Sequence, residues 1–211
     1  EEASSAIARK AAVGMVSRED ITPPASWRAE TSFDEWLAAR GVIAITGVDT
    51  RAITRRIRET GMPMATIAHA RDGKLDIEAL KTLAKDAPSM EGAELAGAVA
   101  CDAANDWTDG DWGWSEGFAK GPEDGPLVVV LDYGVKANIL RRLVSAGARV
   151  QVVPGKASKD DVLKLNPAGV LVSNGPGDPA ATGQYALDTI RGVIDAGVPV
   201  LGICLGHQML A

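Results

Sequence analysis

The sequence predicts an α/β protein whose C-terminal part is a parallel β-sheet with helices on both faces, preceded by a partial α/β N-terminal domain. Three observations predict it. Runs of Val, Leu and Ile of strand length recur at 127–131, 149–153, 169–173 and 199–203, as strands buried on both faces require. Helix-competent segments separate them at 136–145, 159–165 and about 184–196, which calls for right-handed crossovers between parallel strands. Turn-forming segments then fall at the carboxyl ends of the strands: 132–136, 174–179 and the stretch around Cys204. Ligands of such sheets bind along that edge.

The N-terminal part is less regular. Ser32 followed by Glu35 reads as a capping box opening a helix over 32–40. A short apolar segment covers 41–45, and a second helix covers 50–60, stopped by Gly61 and then Pro63. Residues 66–70 form a candidate strand and 77–85 a third helix. Between the two parts, 105–126 is rich in acids and turn formers and holds Trp107, Trp112 and Trp114. The expected organisation is a domain over 1–105, a linker over 106–126 with its aromatics packed on a domain, and a second domain over 127–211.

With 211 residues and 46% apolar side chains, the chain has enough material for a substantial core. Its net charge of −6 lacks a basic stripe, which argues against a nucleic-acid partner. The densest basic cluster, Arg51, Arg55, Arg56 and Arg58, reads as a solvated helix face. No membrane-length apolar run is present, and two cysteines, Cys101 and Cys204, make no disulfide framework. The expectation is a cytoplasmic protein without membrane attachment. Neither a metal-ligand pattern nor a phosphate-loop pattern is present, so no metal and no cofactor is assigned to this chain.

The segment around Cys204 carries the chemistry. An apolar strand runs into Gly202-x-Cys204-x-Gly206 and then a helix-competent segment. That is the pattern of a nucleophile elbow, in which a tight strand-to-helix turn holds the central residue in a strained conformation and flanking glycines relieve crowding. The thiol then sits at a helix N-terminus, where the backbone dipole favours negative charge and the Leu205 N–H faces a developing oxyanion. A buried structural cysteine is the alternative reading. Ser173-Asn-Gly-Pro-Gly-Asp-Pro179 alternates Gly and Pro after a strand; it reads either as a plain β/α turn or as a rigid cradle of amides for an oxyanion or carboxylate. An acyl-transferring thiol needs a histidine base held by a carboxylate, and neither His207, one turn along the same helix, nor His69, in the other domain, suits that role. Another cysteine hydrolase built on a parallel sheet satisfies the same residues.

Gly202-Ile-Cys-Leu-Gly-His-Gln208 together with Ser173-Asn-Gly-Pro-Gly-Asp-Pro179 resembles the class I, triad-type glutamine amidotransferases. Asp132-Tyr-Gly-Val-Lys-Ala-Asn-Ile-Leu-Arg-Arg142, Ser26-Trp-Arg28, Gly47-Val-Asp-Thr-Arg51 and Arg58-Glu-x-x-Gly61 resemble the small subunits of carbamoyl-phosphate synthetases within that class. The resemblance implies an incomplete flavodoxin-like amidotransferase fold. It implies that Cys204 is the nucleophile, that Gly175 and Leu205 supply oxyanion N–H groups, and that Gly177 and Gln208 help hold L-glutamine. It implies a large-subunit partner that receives ammonia and makes carbamoyl phosphate from bicarbonate with ATP and Mg, for arginine and pyrimidine synthesis. The family's histidine and glutamate fall beyond Ala211 in this comparison, so the expectation is a piece cut at both ends and inactive alone. The contrasting expectation is a non-catalytic scaffold feeding free ammonia to its partner.

Overall fold

The computed structural model describes residues 13–211, and the chain divides into two compact units, Glu1–Ser89 and Met90–Ala211. In the first unit, β1 (Gly14–Val16) pairs in parallel with β2 (Ile43–Ile45). Helix α1 (Phe33–Ala39) begins with the expected capping box: the Ser32 hydroxyl accepts from the Glu35 N–H, and the Glu35 carboxylate accepts from the Ser32 N–H. Those same bonds, with that from the Thr31 hydroxyl, hold the Glu35 carboxyl below its ordinary value, the backbone bond from Ser32 being the largest cause. Helix α2 (Thr50–Thr60) starts at Asp49, which caps the Ala52 N–H, and stops at Gly61 with φ +82°. Helix α3 (Ile77–Asp86) is capped by Asp76. The candidate strand at 66–70 does not form. Thr66 instead donates its hydroxyl to the Leu80 carbonyl at 3.0 Å, and Ile67 packs on Gly14, so side chains rather than a ladder hold this segment.

The second unit is built on a five-stranded sheet of order β3-β7-β6-β8-β9. Strands β6 (Leu127–Asp132), β7 (Arg149–Pro154), β8 (Gly169–Val172) and β9 (Val200–Gly202) are parallel, and β3 (Asn105–Trp107) adds antiparallel to β7. Alternate residues of the strands feed two cores. Val129, Leu131, Val170 and Val172 meet Ile190 and Val193 of α6 (Pro179–Asp195), Val162 of α5 (Lys159–Lys164), and Leu205 and Met209 of α7 (Leu205–Leu210). On the other face Val130, Val150, Val152 and Leu171 meet Leu140 and Val144 of α4 (Ala137–Ser145). Both faces carry helices, as the sequence predicts, with Leu201 of β9 left exposed on the α4 face, and every parallel strand of the expected set is present.

The span 106–126 is not a linker. It completes β3 and forms a hairpin of β4 (Asp109–Gly113) and β5 (Gly117–Lys120), closed by the Lys120–Asp109 ion pair. The hairpin lies against α4, where the Asp111 N–H donates to the Ser145 hydroxyl at 2.8 Å and Gly110 and Gly121 leave room for Val144. The unit also begins earlier than expected, at Met90 rather than at 127, because residues 90–101 fold onto the ends of β6 and β8. Helix α6 likewise starts at Pro179 rather than near 184: Asp178 caps it and Pro179 fits the first turn, where no N–H is needed.

Candidate active site

The chain leaves β6 toward β7 on one side and reaches β8 on the other, so the carboxyl end of β6 is a topological switch point. Three turns meet there, following β6, β8 and β9.

After β6, Asp132 is 5% exposed and its carboxylate accepts three backbone N–H groups: Gly134 and Val135 through one oxygen and Cys101 through the other, each at 2.8 Å. This turns the chain sharply enough that Gly134 sits at φ +113°. After β8, the buried Ser173 hydroxyl accepts the Tyr133 N–H at 2.9 Å and donates to the Asn174 carbonyl. Asn174 then spans the gap, donating to the Gly134 carbonyl at 2.9 Å and accepting from the Lys136 N–H at 3.2 Å. The two turns are thus joined by side chains whose roles were not read from the sequence; a polar run Ser-Asn after an apolar strand was the available signal.

The Gly-Pro-Gly turn is packed against both neighbours. A Cβ on Gly175 would lie 2.1 Å from the Tyr133 carbonyl oxygen and 2.9 Å from the Leu205 side chain. Gly177 has φ +95°, and a Cβ there would lie 2.7 Å from the Ala93 carbonyl oxygen. Asp178 closes the turn: its carboxylate accepts from the Ala180 N–H at 2.8 Å and the Gly92 N–H at 2.7 Å, while its own N–H donates to the Ala93 carbonyl.

After β9 comes the elbow. Cys204 has φ +53° and ψ −111°, a region that costs a non-glycine residue about 1–3 kcal/mol and persists where the surroundings over-determine it. The surroundings here are tight. A Cβ on Gly202 would lie 2.7 Å from the Gly206 carbonyl, and one on Gly206 would lie 2.1 Å from the Val172 carbonyl oxygen. The glycines flanking the thiol are demanded by close backbone approach, since neither has a positive φ. The Gly206 N–H donates to the Ser173 carbonyl at 3.1 Å, which fixes the start of α7 on the end of β8. Leu205 is buried as an anchor, and the Cys204 thiol is exposed.

Gly175 therefore packs against Leu205, the residue that follows Cys204. Among the described residues their N–H groups donate to no backbone or side-chain acceptor. Gln208 and His207 are exposed on α7, and His69 belongs to the first unit. Cys101, half-buried beside Asp132, is a different kind of thiol: burial, and then the Asp132 charge, push it up to about 11. Among the described residues no cluster of three or more His, Cys, Asp or Glu is placed to hold a metal ion.

Residues 129–211 match the family model for glutamine amidotransferase class-I, and the sheet order and elbow fit that class. The sheet-bearing part of the second unit, residues 129–211, is of the class I glutamine amidotransferase type. Residues 1–67 match the model for the carbamoyl-phosphate synthase small chain, CPSase domain. Among curated relatives, the carbamoyl phosphate synthase small chain of Maricaulis maris is 68% identical over 100% of this chain and 54% of its own length. That of Caulobacter vibrioides is 53% identical over 97% of this chain and 53% of its own, and that of Bradyrhizobium diazoefficiens 49% identical over 93% and 50%. The chain belongs to the family of carbamoyl phosphate synthase small chains, and it spans about half the length of these relatives.

Proposed function

We propose that the protein is the glutamine-hydrolysing subunit of a carbamoyl-phosphate synthetase. The observation that carries this reading is the Cys204 elbow: an exposed thiol held at φ +53° between two glycines where a Cβ would press on backbone, beside the unpartnered amides of Gly175 and Leu205.

In the proposed reaction the Cys204 thiolate attacks the γ-carboxamide carbon of L-glutamine. The carbonyl oxygen becomes an oxyanion that accepts the Gly175 and Leu205 N–H groups, donors already oriented before charge develops. Collapse expels ammonia once its nitrogen is protonated and leaves a thioester on Cys204, and water then releases glutamate. Gly177 and Gln208 help hold the amino acid, a role drawn from the family resemblance. By the family resemblance, the base that takes the thiol proton is a histidine held by a glutamate. Ammonia passes to a large-subunit partner, where ATP and Mg drive its condensation with bicarbonate to carbamoyl phosphate, for arginine and pyrimidine synthesis in the cytoplasm. Among the described residues no helix is long and apolar enough to cross a membrane.

The test is Cys204→Ser in the full protein with its large partner. Glutamine-dependent carbamoyl phosphate formation is expected to fall at least about 10³-fold while ammonium-dependent formation persists. Unchanged glutamine use in the variant refutes the assignment, and a parent complex that uses ammonium but never glutamine favours a scaffold.

A further inference from the structure

We propose that Asp178 is a positioning residue for glutamine hydrolysis: by clasping the backbone of 92–93 it fixes the 175–177 turn that presents the oxyanion N–H of Gly175. This rests on the functional reading above and extends it to a residue that touches no reacting atom.

The clasp has three parts. One Asp178 oxygen takes the Gly92 N–H at 2.7 Å, the other takes the Ala180 N–H at 2.8 Å, and the Asp178 N–H returns to the Ala93 carbonyl at 2.9 Å. The first and third join two segments 86 residues apart in sequence, so they are not a requirement of the helix cap. The segment so held continues as a strap along the site. Glu94 accepts the Tyr185 hydroxyl at 3.0 Å, Val99 packs over Gly134, and the Cys101 N–H ends the strap on the Asp132 carboxylate. The Gly-Pro-Gly turn is thereby enclosed. The missing Cβ of Gly177 faces the Ala93 carbonyl and the Leu95 N–H at 2.7 and 2.9 Å, and that of Gly175 faces the Tyr133 carbonyl at 2.1 Å on the opposite side. Pro176 restricts the turn's internal conformation, but the turn makes no ladder bonds of its own, so its position is set by what encloses it. The amide bonds from Gly92 and then Ala180 hold the Asp178 carboxyl below its ordinary value, so the acceptor stays charged at neutral pH.

Asp178→Ser separates the two duties. Serine caps a helix as well as aspartate does, so α6 keeps its N-terminus, but its hydroxyl is too short to serve Ala180 and Gly92 together. In the full protein with its large partner, the kcat for glutamine is expected to fall about 10–100-fold, the scale of a displaced oxyanion donor, with ammonium-dependent synthesis unchanged. Amide hydrogen exchange on the same variant is expected to speed up over 90–95 and 173–178 together while α6 stays protected. A kcat within twofold of the parent, or unaltered protection of 173–178, overturns the proposal. So does an equal loss of ammonium-dependent synthesis, which marks a general structural defect. Should the parent itself hydrolyse no glutamine, the functional reading is what falls, and the exchange measurement alone then upholds or overturns the clasp.

Discussion

Gly206→Ala sets two physical effects of opposite sign against each other. Gly206 lies in α7, and by helix propensity alone alanine there stabilises by about 1 kcal/mol. Its absent Cβ, however, points at backbone: 2.1 Å to the Val172 carbonyl oxygen, 2.6 Å to its carbon and 2.9 Å to the Ser173 oxygen. Ordinary contact begins at 3.4 Å, so α7 and the end of β8 must part by about 1.3 Å. No side chain can rotate away to absorb this. Overpacking against a fixed core costs about 1–3 kcal/mol, and an all-backbone contact belongs at the upper end. The net expectation is a loss of about 2 kcal/mol, or roughly 4–8 °C in Tm for a unit of this size. The same parting stretches the Gly206-to-Ser173 hydrogen bond and moves the Leu205 N–H relative to Gly175. A displacement of about 1 Å in a catalytic array costs on the order of 10²-fold in rate. Thermal denaturation and steady-state glutamine hydrolysis of the full protein measure both. A variant that melts at or above the parent temperature refutes the reasoning, because propensity would then have outweighed the close approach.

Two further outcomes are expected. Iodoacetamide at pH 8 is expected to modify the exposed Cys204 and to spare Cys101, because a thiol raised to about 11 is ionised about one part in 10³ at that pH, roughly 100-fold less than at the ordinary value of 9.0; peptide mapping that finds Cys101 alkylated at the rate of an ordinary thiol contradicts the placement beside Asp132. In the first unit, Ser32→Ala removes one half of the α1 capping box and is expected to lower stability by about 1 kcal/mol in denaturant titration, whereas no change in midpoint would show the cap to be idle.

The parallel strands were legible because burial on both faces leaves little but Val, Leu and Ile between their turns. The α1 cap was equally legible, because Ser32 and Glu35 satisfy each other within one turn and depend on nothing distant. The elbow could be read because close backbone approach, of Gly206 to β8 and of Gly202 to α7, favours glycine on either side of Cys204. What escaped was non-local. Residues 105–107 are Asn, Asp and Trp, which do not announce a strand; they become one only because the outer edge of β7 offers a partner, and Gln151 bonds Asp106 across the pair. The strap 90–101 has no pattern of its own and is shaped by Asp132 and Asp178, carboxylates far along the chain. Asp178 itself was visible as part of a motif, but its bond to Gly92 was not, since no periodicity links the two. The start of α6 was misplaced because Gly183 weakens the helical signal, while Asp178 and Pro179 supply the stronger start.

The early beginning of the second unit bears on how the protein can be dissected. A polypeptide started at Leu127, where the first parallel strand begins, would discard β3, the hairpin on α4 and the strap at once. The outer edge of β7 would face solvent with its ladder groups unpaired, an invitation to edge-to-edge aggregation. The Asp132 carboxylate and the Gly-Pro-Gly turn would lose their covers in the same cut. Severing the chain at Met90 keeps all of these together, so the natural seam for isolating the amidotransferase half lies well ahead of its recognisable sequence motif.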